Sequence, residues 1–416
     1  MDENHDDKRG DERGIRCNRR EVLAGALALP MLPCGFRAPG FLQEPAPAAR
    51  SKNLVVIELA GGNDAINTVV PHSDPEYARA RPTLAIRRGL HPIDERVSLH
   101  PALARLSALH AANEAATLLG VGYPDPDRSH FRSMDIWQSG RTDVEDPRLG
   151  VFGLAADVLH RRGATLPAIA LGISKRPLGL AGRSFVAPAL TTLVEHRLEL
   201  GDVVPELEHA RERALDDRTE PDVGDDALDR LIKKTARQAY GSARTLRQLA
   251  AKRPGGGTAA TFEAACALAA DVLTSSIGVR IVWLRLSGFD THAGQARVHG
   301  PLLAELDRGI GTLRDMLDRG GAWQTTRVVV FSEFGRRVAE NRSRGTDHGA
   351  AGHVFLIGRG LRSGVHGDVP SLVDLERGDL RHAFDFRRLY AELLESWLDV
   401  PPLDAGVRAP ASRFLT

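Results

Sequence analysis

The sequence has few cysteines, few aromatic residues and almost no net charge. Its three cysteines exclude a cysteine-rich zinc site, and because Cys17 and Cys34 lie near the N-terminus, the mature chain is predicted to lack an internal disulfide. Aromatic residues make up 5% of the chain and the formal charge is +1, so neither base stacking nor a basic surface favours a nucleic-acid partner. No phosphate-binding glycine loop follows a predicted strand, which argues against a nucleotide cofactor.

The first 50 residues have the plan of an export signal. Paired Arg19 and Arg20 precede an apolar run at residues 22–32, and a stretch rich in proline and alanine follows. This order resembles a twin-arginine signal, and the apolar run is too short to anchor the chain in a membrane. We therefore expect residues 1–50 to be a signal and linker, residues 51–416 to form the mature domain, and the product to be periplasmic or extracellular. A disordered tail with a chance arginine pair is the alternative.

Strand and helix patterns alternate over the mature chain, which predicts an α/β sandwich. Short apolar runs predict buried strands at residues 54–59, 116–121, 281–286, 327–332 and 353–358. Apolar residues at helical spacing predict helices near residues 101–113, 131–140, 298–319 and 385–398. Residues 72–100 are predicted to be irregular. Charged patterns rich in alanine and leucine predict a helical insertion or cap at residues 204–276, and Cys266 within it is predicted to be a buried thiol.

Polar residues with metal-binding or catalytic side chains stand directly beside these strands. Ligands bind at the carboxyl edge of such sheets, so we expect the polar residues to meet there as one rim. The candidates are Asp64 after the first strand, Ser129 and His130 after the second, Asp290 and His292 after the third, Glu333 and Arg336 after the fourth, and Asp347 and His348 before the fifth.

Several of these candidates suit a metal. In an extended segment the side chains of Asp290 and His292 point the same way, so they could bind one metal together. Asp347 and His348 offer a carboxylate and an imidazole that suit zinc, iron or manganese, with orientation of His348 as a second role for Asp347. Asp64, which follows two glycines, could bridge two cations. The alternative for each is a structural role, such as capping a turn.

Ser129 is the candidate nucleophile. It precedes a predicted helix, whose N-terminus would stabilise a bound anion, although serine is also a common N-cap there. His130 could activate Ser129 or bind metal. Glu333 could be a ligand or a general base, and Arg336 could hold a phosphate or sulfate oxygen; a surface ion pair is their alternative. A Ser-His-Asp hydrolase also stays open, although no Gly-x-Ser-x-Gly elbow surrounds Ser129.

Taken together, these segments resemble the DUF1501 family, whose function is unknown. The motifs are the paired arginines, Gly-Gly-Asn-Asp at residues 61–64, Arg-Ser-His-Phe at 128–131, Gly-Phe-Asp-Thr-His at 288–292, Ser-Glu-Phe-Gly-Arg at 332–336 and Gly-Thr-Asp-His-Gly at 345–349. The match covers nearly the whole mature chain. It implies a fold like that of alkaline phosphatases and sulfatases, with a central mixed, mostly parallel sheet flanked by helices.

The resemblance also implies roles for single residues. These are a bridging carboxylate for Asp64, the nucleophile for Ser129, ligands of one metal for Asp290 and His292, and the last histidine ligand for His348. One position departs from the superfamily, because Phe334 stands where a histidine ligand is common and cannot bind metal. The expected cofactor is therefore one or two divalent ions of zinc, manganese, iron or calcium, with a site that holds no metal left open.

The resulting hypothesis is an exported metal-dependent hydrolase of phosphate or sulfate esters, acting on a small-molecule or glycan substrate. Ser129 would attack phosphorus or sulfur, the metal would stabilise the developing charge, and Arg336 would hold the non-reacting oxygens. The alternative is a non-catalytic exported protein that keeps the fold to bind a glycan or a partner, which the departure at Phe334 favours.

Overall fold

The computed structural model describes residues 51–192, 246, 248, 250, 251, 258–403 and 414. In this part the strands are β1 Asn53–Ala60, β2 Val69–Val70, β3 His91–Pro92, β4 Ser98–Leu99, β5 Ala115–Gly122, β6 Ala168–Leu171, β7 Ala189–Leu190, β8 Ile281–Ser287, β9 Thr326–Phe331, β10 Gly352–Ile357, β11 Gly364–His366 and β12 Phe384–Asp385. The α-helices there are α1 Ala65–Thr68, α2 Pro75–Ala80, α3 Ala104–Ala111, α4 His130–Ser139, α5 Val151–Arg161, α6 Phe262–Thr274, α7 His299–Arg319 and α8 Phe386–Glu392, which continues as a π-helical turn at Leu393–Trp397.

Nine of these strands form one mixed, mostly parallel sheet, as predicted. Its order is β11-β5-β10-β9-β1-β8-β6-β7, and β12 pairs with β5 beside this path. Strand β1 runs parallel to β8 and β9, whereas β10 runs antiparallel to both β9 and β5. Strands β1, β5, β8 and β9 therefore end at the same edge of the sheet, and β10 begins there.

The central strands are buried on both faces, which accounts for their continuous apolar runs. Seven of the eight residues of β1 and all of β9 are buried. The one charged residue of β1, Glu58, is fully buried and accepts hydrogen bonds from Gln138 (2.9 Å), Trp283 (3.1 Å) and Arg285 (2.7 Å). Burial raises the pKa of Glu58 despite the charge of Arg285. The three donors offset the cost of enclosing a carboxylate in the sheet.

Helices α6 and α7 pack against each other and contribute to the main core. The apolar face of α7 repeats at a spacing of three or four residues, which is typical of a helix with one buried side. Its buried residues include Leu303, Leu306, Ile310, Leu313 and Leu317. In α6, Cys266 is buried and free, as predicted, and burial raises the pKa of its thiol.

The predicted strands and helices are confirmed, with ends that shift by a few residues. The prediction for residues 72–100 was wrong, since they contain α2 and a small sheet of order β2-β4-β3. Pro75 starts α2, and the side chain of Asp74 accepts a hydrogen bond from the backbone N–H of Glu76 at 2.9 Å. Elements this short show no periodic pattern, so only their capping residues signal them.

Two predicted regions lie largely outside the described residues. These are the export signal at residues 1–50 and most of the insertion at residues 204–276. Within the latter, α6 is described and its buried side chains join the main core, while the insertion as a whole stays a prediction. In the described part of the chain, no helix has both the length and the apolar character needed to cross a membrane.

Candidate metal centre

The predicted rim forms at one edge of the sheet. The loops after β1, β5, β8 and β9 converge there with the loop before β10. Four of the predicted metal ligands lie side by side in these loops: His130, Asp290, His292 and His348. The two other predicted ligands, Asp64 and Asp347, lie outside this group and make different contacts.

Three imidazole rings surround one carboxylate oxygen. Asp290 Oδ1 lies 3.0 Å from His292 Nε2 and 3.3 Å from His348 Nε2. The third ring, that of His130, has its Nε2 atom 3.5 Å from the same oxygen. The two nitrogens His292 Nε2 and His348 Nε2 are 2.9 Å apart. Side-chain exposure ranges from 25% for His348 to 48% for Asp290, so the cluster is open to small molecules from solvent.

An oxygen atom lies within 3.4 Å of the Nδ1 atom of each ring. The pairs are His130 Nδ1 with Glu333 Oε1 at 2.8 Å, His348 Nδ1 with the Arg128 carbonyl oxygen at 2.8 Å, and His292 Nδ1 with Asp347 Oδ1 at 3.4 Å. Because the oxygens of Glu333 and Arg128 accept hydrogen bonds, they assign the protons of His130 and His348 to Nδ1. The Nε2 lone pairs of these two rings, when neutral, then face Asp290.

The cluster has more acceptors than donors, which fits a bound cation. Lone pairs that face each other and a carboxylate repel unless a proton or a cation lies between them. His130 Nε2 is buried and has no hydrogen-bond partner among the described residues. Imidazole with carboxylate is a common ligand set for zinc, manganese and iron, and ligating rings are usually held through their other nitrogen. The residues present therefore fit one divalent metal.

Arg336 is buried and holds the loops around the cluster. Its guanidinium donates hydrogen bonds to the carbonyl oxygens of Gly61, Gly62 (2.6 Å), Phe289 (3.2 Å) and Thr346 (2.9 Å), and to Asp290 Oδ1 (2.6 Å). Burial would raise the pKa of Asp290, but the hydrogen bond and charge of Arg336 outweigh it and lower that pKa to about 2. The structure thus corrects the role predicted for Arg336: its donors are engaged inside the protein, where they position Asp290 rather than substrate oxygens.

Glu333 is also buried, and its carboxylate orients one ring of the cluster. Besides His130 Nδ1, it accepts hydrogen bonds from the backbone N–H of Gly61 at 2.8 Å and the hydroxyl of Ser332 at 3.0 Å. Burial would raise the pKa of Glu333, but the hydrogen bonds from His130 and Gly61 lower it. The same hydrogen bond raises the pKa of His130. These contacts correct the predicted role of Glu333 from ligand or general base to a positioning carboxylate.

Phe334 forms an apolar wall beneath two of the rings. Its ring centroid lies 4.9 Å from that of His130 and 4.9 Å from that of His348, and the side chain is buried. Gly62, at φ +68°, leaves room for this ring, because a Cβ there would lie 2.2 Å from Phe334 Cε2. At position 334, where the resemblance implies a histidine ligand, the chain therefore has a closely packed phenylalanine ring.

Asp64 belongs to a separate buried network. Its carboxylate forms an ion pair with Arg81, and both side chains are fully buried. Gln295 donates a second hydrogen bond to Oδ2, and Oδ1 accepts the backbone N–H of Asn67 at 3.3 Å, which caps α1. Burial would raise the pKa of Asp64, but Arg81 outweighs it and lowers the pKa. The structure thus gives Asp64 the structural role that the capping alternative predicts and leaves it out of the candidate metal centre.

Asp347 orients a different ring from the one predicted. Its Oδ1 accepts a hydrogen bond from Asn341 at 3.0 Å and lies 3.4 Å from His292 Nδ1. The hydrogen bond from Asn341 is the largest cause of the lowered pKa of Asp347. The neighbouring His348 instead uses the carbonyl oxygen of Arg128, and burial lowers the pKa of His348. Asp347 is therefore placed to orient His292 rather than His348.

Ser129 stands at the N-terminus of α4 with an exposed side chain. It occupies the N-cap position, but its side chain makes no capping hydrogen bond. Its backbone N–H donates to Asp127 Oδ1 at 2.6 Å. The Ser129 hydroxyl therefore does not cap the helix. Ser129 directly precedes the candidate ligand His130 in the chain.

Two parts of this region have no counterpart in the sequence predictions. The sequence shows an arginine before a proline at position 81 but does not show that this arginine pairs with Asp64. The sequence also does not show that the Arg128 carbonyl oxygen accepts a hydrogen bond from His348, since every residue has a backbone carbonyl. Both contacts join residues that are distant in the sequence, and only the folded chain brings them together.

Comparison with known proteins gives one family and several similar structures. Residues 209–396 match the family described as "Protein of unknown function (DUF1501)". No curated protein matches the chain. A protein in the alkaline phosphatase superfamily from Vibrio parahaemolyticus is 12% identical, with 88% of this chain and 71% of that chain covered and a TM-score of 0.43.

Two further solved structures are similar at the same level. The soluble domain of lipooligosaccharide phosphoethanolamine transferase A from Neisseria meningitidis is 11% identical, with 87% of this chain and 92% of that chain covered and a TM-score of 0.41. The PsFucS1 sulfatase from Pseudoalteromonas sp. is 13% identical, with 85% and 68% covered and a TM-score of 0.36. The family predicted from the sequence motifs is confirmed over residues 209–396, which are similar to the DUF1501 proteins.

Proposed function

We propose that this protein is a metal-dependent hydrolase of phosphate or sulfate esters. The observation that carries the proposal is the convergence of three imidazole Nε2 atoms on Asp290 Oδ1, at a solvent-open edge of the sheet. Ser129, whose hydroxyl makes no capping hydrogen bond, directly precedes His130, one of these imidazoles. This combination supports ester chemistry better than a binding role, because a binding site needs neither the ring orientation nor the serine.

The ligands of the metal would be His130, Asp290, His292 and His348. A bound divalent cation would supply Lewis-acid stabilisation of negative charge on the ester. Three imidazoles favour zinc, manganese or iron over calcium, which takes oxygen ligands. The departure at Phe334 does not weaken the proposal, since ligand atoms of His130, Asp290 and His348 lie within 4.8 Å of one another without that position, and His292 Nε2 is 3.0 Å from Asp290 Oδ1.

Ser129 is the proposed nucleophile. Its hydroxyl oxygen would bond to phosphorus or sulfur, the bond to the leaving alcohol would break, and the hydroxyl proton would pass to solvent, which the exposure of Ser129 permits. The amide groups in the first turn of α4 would face the non-reacting oxygens, a role that Arg336 is not placed to fill. His130 is not the base in this proposal, because its Nε2 atom, the nitrogen that could accept a proton, would bind the metal.

The proposal places the reaction outside the cytoplasm. Its support is the sequence pattern of residues 1–50, with paired arginines before an apolar run, which predicts export by the twin-arginine route. The substrate would be a small-molecule or glycan ester that this compartment supplies.

Hydrolysis of p-nitrophenyl phosphate and p-nitrophenyl sulfate tests the proposal. We expect the full chain, exported through its own signal and purified without chelator, to cleave one of the two esters. Activity should fall to background after chelation and return with zinc or manganese, because the four ligands lie in the site that binds the ester. A protein that holds metal and cleaves neither ester would instead favour the non-catalytic binding protein.

A further inference from the structure

A cavity of about 400 Å³ lies beside the candidate metal centre. Four carboxylates and two guanidinium groups line it: Asp125, Asp127, Glu376 and Asp379, with Arg128 and Arg377. Its volume is in the range of sites for small organic ligands. The lining thus carries two more carboxylates than guanidinium groups, and His382 also lines it.

One of these carboxylates is buried and lacks a hydrogen bond on one oxygen. Asp379 is 1% exposed, and its Oδ2 accepts a hydrogen bond from Arg128 Nε at 2.7 Å. Its Oδ1 has no hydrogen-bond partner among the described residues, and the nearest cation, Arg337 Nε, is 3.8 Å away. Burial raises the pKa of Asp379. A buried carboxylate with one oxygen that accepts no hydrogen bond adds to the negative potential at the cavity wall.

The charge of the cavity suits an organic cation better than a metal ion. Metal binding needs several ligand atoms close together. Among the described residues, only His130, Asp290 and His348 form a group of three or more histidine, cysteine or acidic ligand atoms within 4.8 Å of one another. No three carboxylates of the cavity therefore lie that close together, which suits a ligand that donates hydrogen bonds from separate positions.

We propose that this cavity binds a polar organic amine of the size of an amino sugar, through its ammonium group. The ammonium donates hydrogen bonds to the exposed carboxylates of Asp125, Asp127 and Glu376, and the hydroxyls of the ligand contact the remaining polar groups of the lining. A charge-assisted hydrogen bond in a cavity is roughly twice as strong as a neutral one, which favours the amine over a neutral sugar.

The cavity and the candidate metal centre share one stretch of backbone. The carbonyl oxygen of Arg128 holds His348 Nδ1, and Asp127 Oδ1 accepts the backbone N–H of Ser129. An amine in the cavity is therefore placed to be the non-reacting part of an ester that Ser129 attacks. This recognition role rests on the proposed function, whereas the binding of the amine does not.

Calorimetric titration of the full chain with glucosamine and with N-acetylglucosamine tests the binding. Below neutral pH, where the amine is protonated, we expect glucosamine to bind about tenfold more tightly than the neutral sugar. Glu376→Gln and Asp125→Asn should each reduce this preference by removing one charge of the wall. Asparagine suits position 125 because the backbone there has φ 52°, which asparagine tolerates. Asp374→Asn, in the same loop as Glu376 but outside the cavity lining, is the matched control and should keep the preference.

Equal binding of the two sugars, no binding of either, or a preference that survives both cavity substitutions would overturn the amine site. The test needs no hydrolysis. An amine preference in a protein that cleaves no ester would leave this site standing and the proposed function refuted, and ester cleavage without an amine preference would do the reverse.

Discussion

Replacing Ser129 by alanine should lower kcat for ester hydrolysis by at least about 10³-fold while the metal stays bound. The hydroxyl is the only atom group that the substitution removes, and it is the proposed nucleophile. The four proposed metal ligands make no hydrogen bond to it in the described chain, so the metal content should not change. Steady-state kinetics with the better of the two aryl esters, together with metal analysis of the same sample, would check both parts.

The stability of the same variant separates a nucleophile from a helix cap. Because the Ser129 side chain makes no capping hydrogen bond, Ser129→Ala should leave the unfolding free energy nearly unchanged. Thr261→Ala is the matched control, since Thr261 Oγ1 caps α6 by accepting the N–H of Ala264 at 3.1 Å. Its loss should cost about 1 kcal/mol. If Ser129→Ala loses stability like Thr261→Ala and keeps its kcat, Ser129 is a cap and the nucleophile assignment is wrong.

Replacing Asp64 by alanine should lower the free energy of unfolding by about 3–5 kcal/mol. The guanidinium of Arg81 is fully buried against this carboxylate, so the substitution leaves a buried charge without its partner. Gln295 and the capped N–H of Asn67 lose an acceptor at the same time. Denaturant unfolding of the wild type and the variant would measure the difference.

Two controls show whether the stranded charge causes the loss. The double variant Asp64→Asn/Arg81→Met removes both charges and should be less destabilised than Asp64→Ala alone. Asp146→Ala removes one partner of the exposed pair with Arg148 and should leave stability nearly unchanged. A small loss in Asp64→Ala, comparable to that in Asp146→Ala, would contradict the structural role of Asp64.

The rim of polar residues was predictable from sequence because these residues directly follow or precede the predicted strands. Apolar runs fix where β1, β5, β8 and β9 end, and parallel strands must bring their following residues to one edge. The closeness of the Asp290 and His292 side chains also follows from their spacing, since residues two apart in an extended segment share a side. His130 and His348 join them because their loops open onto the same edge.

The partners of the charged residues were not predictable in this way. Sequence shows that Arg336 carries a charge but not that four carbonyl oxygens from three loops surround it. Asp347 is adjacent to His348 in the chain, yet it orients His292, because neighbouring side chains point in different directions. Asp64 follows a strand as the proposed ligands Asp290 and His292 do, and only the position of Arg81 shows that Asp64 belongs to the buried network.

The central claim is that His130, Asp290, His292 and His348 hold one divalent metal, and elemental analysis tests it most directly. The chain exported through its own signal and purified without chelator should contain about one equivalent of zinc, manganese or iron. His292→Ala should lose it, Asp64→Ala should keep it in the folded protein, and Asp347→Asn should weaken the affinity by roughly 10–100-fold, as expected for a group that orients a ligand. A folded wild type without metal, or a metal that stays in His292→Ala and leaves in Asp64→Ala, would contradict the claim.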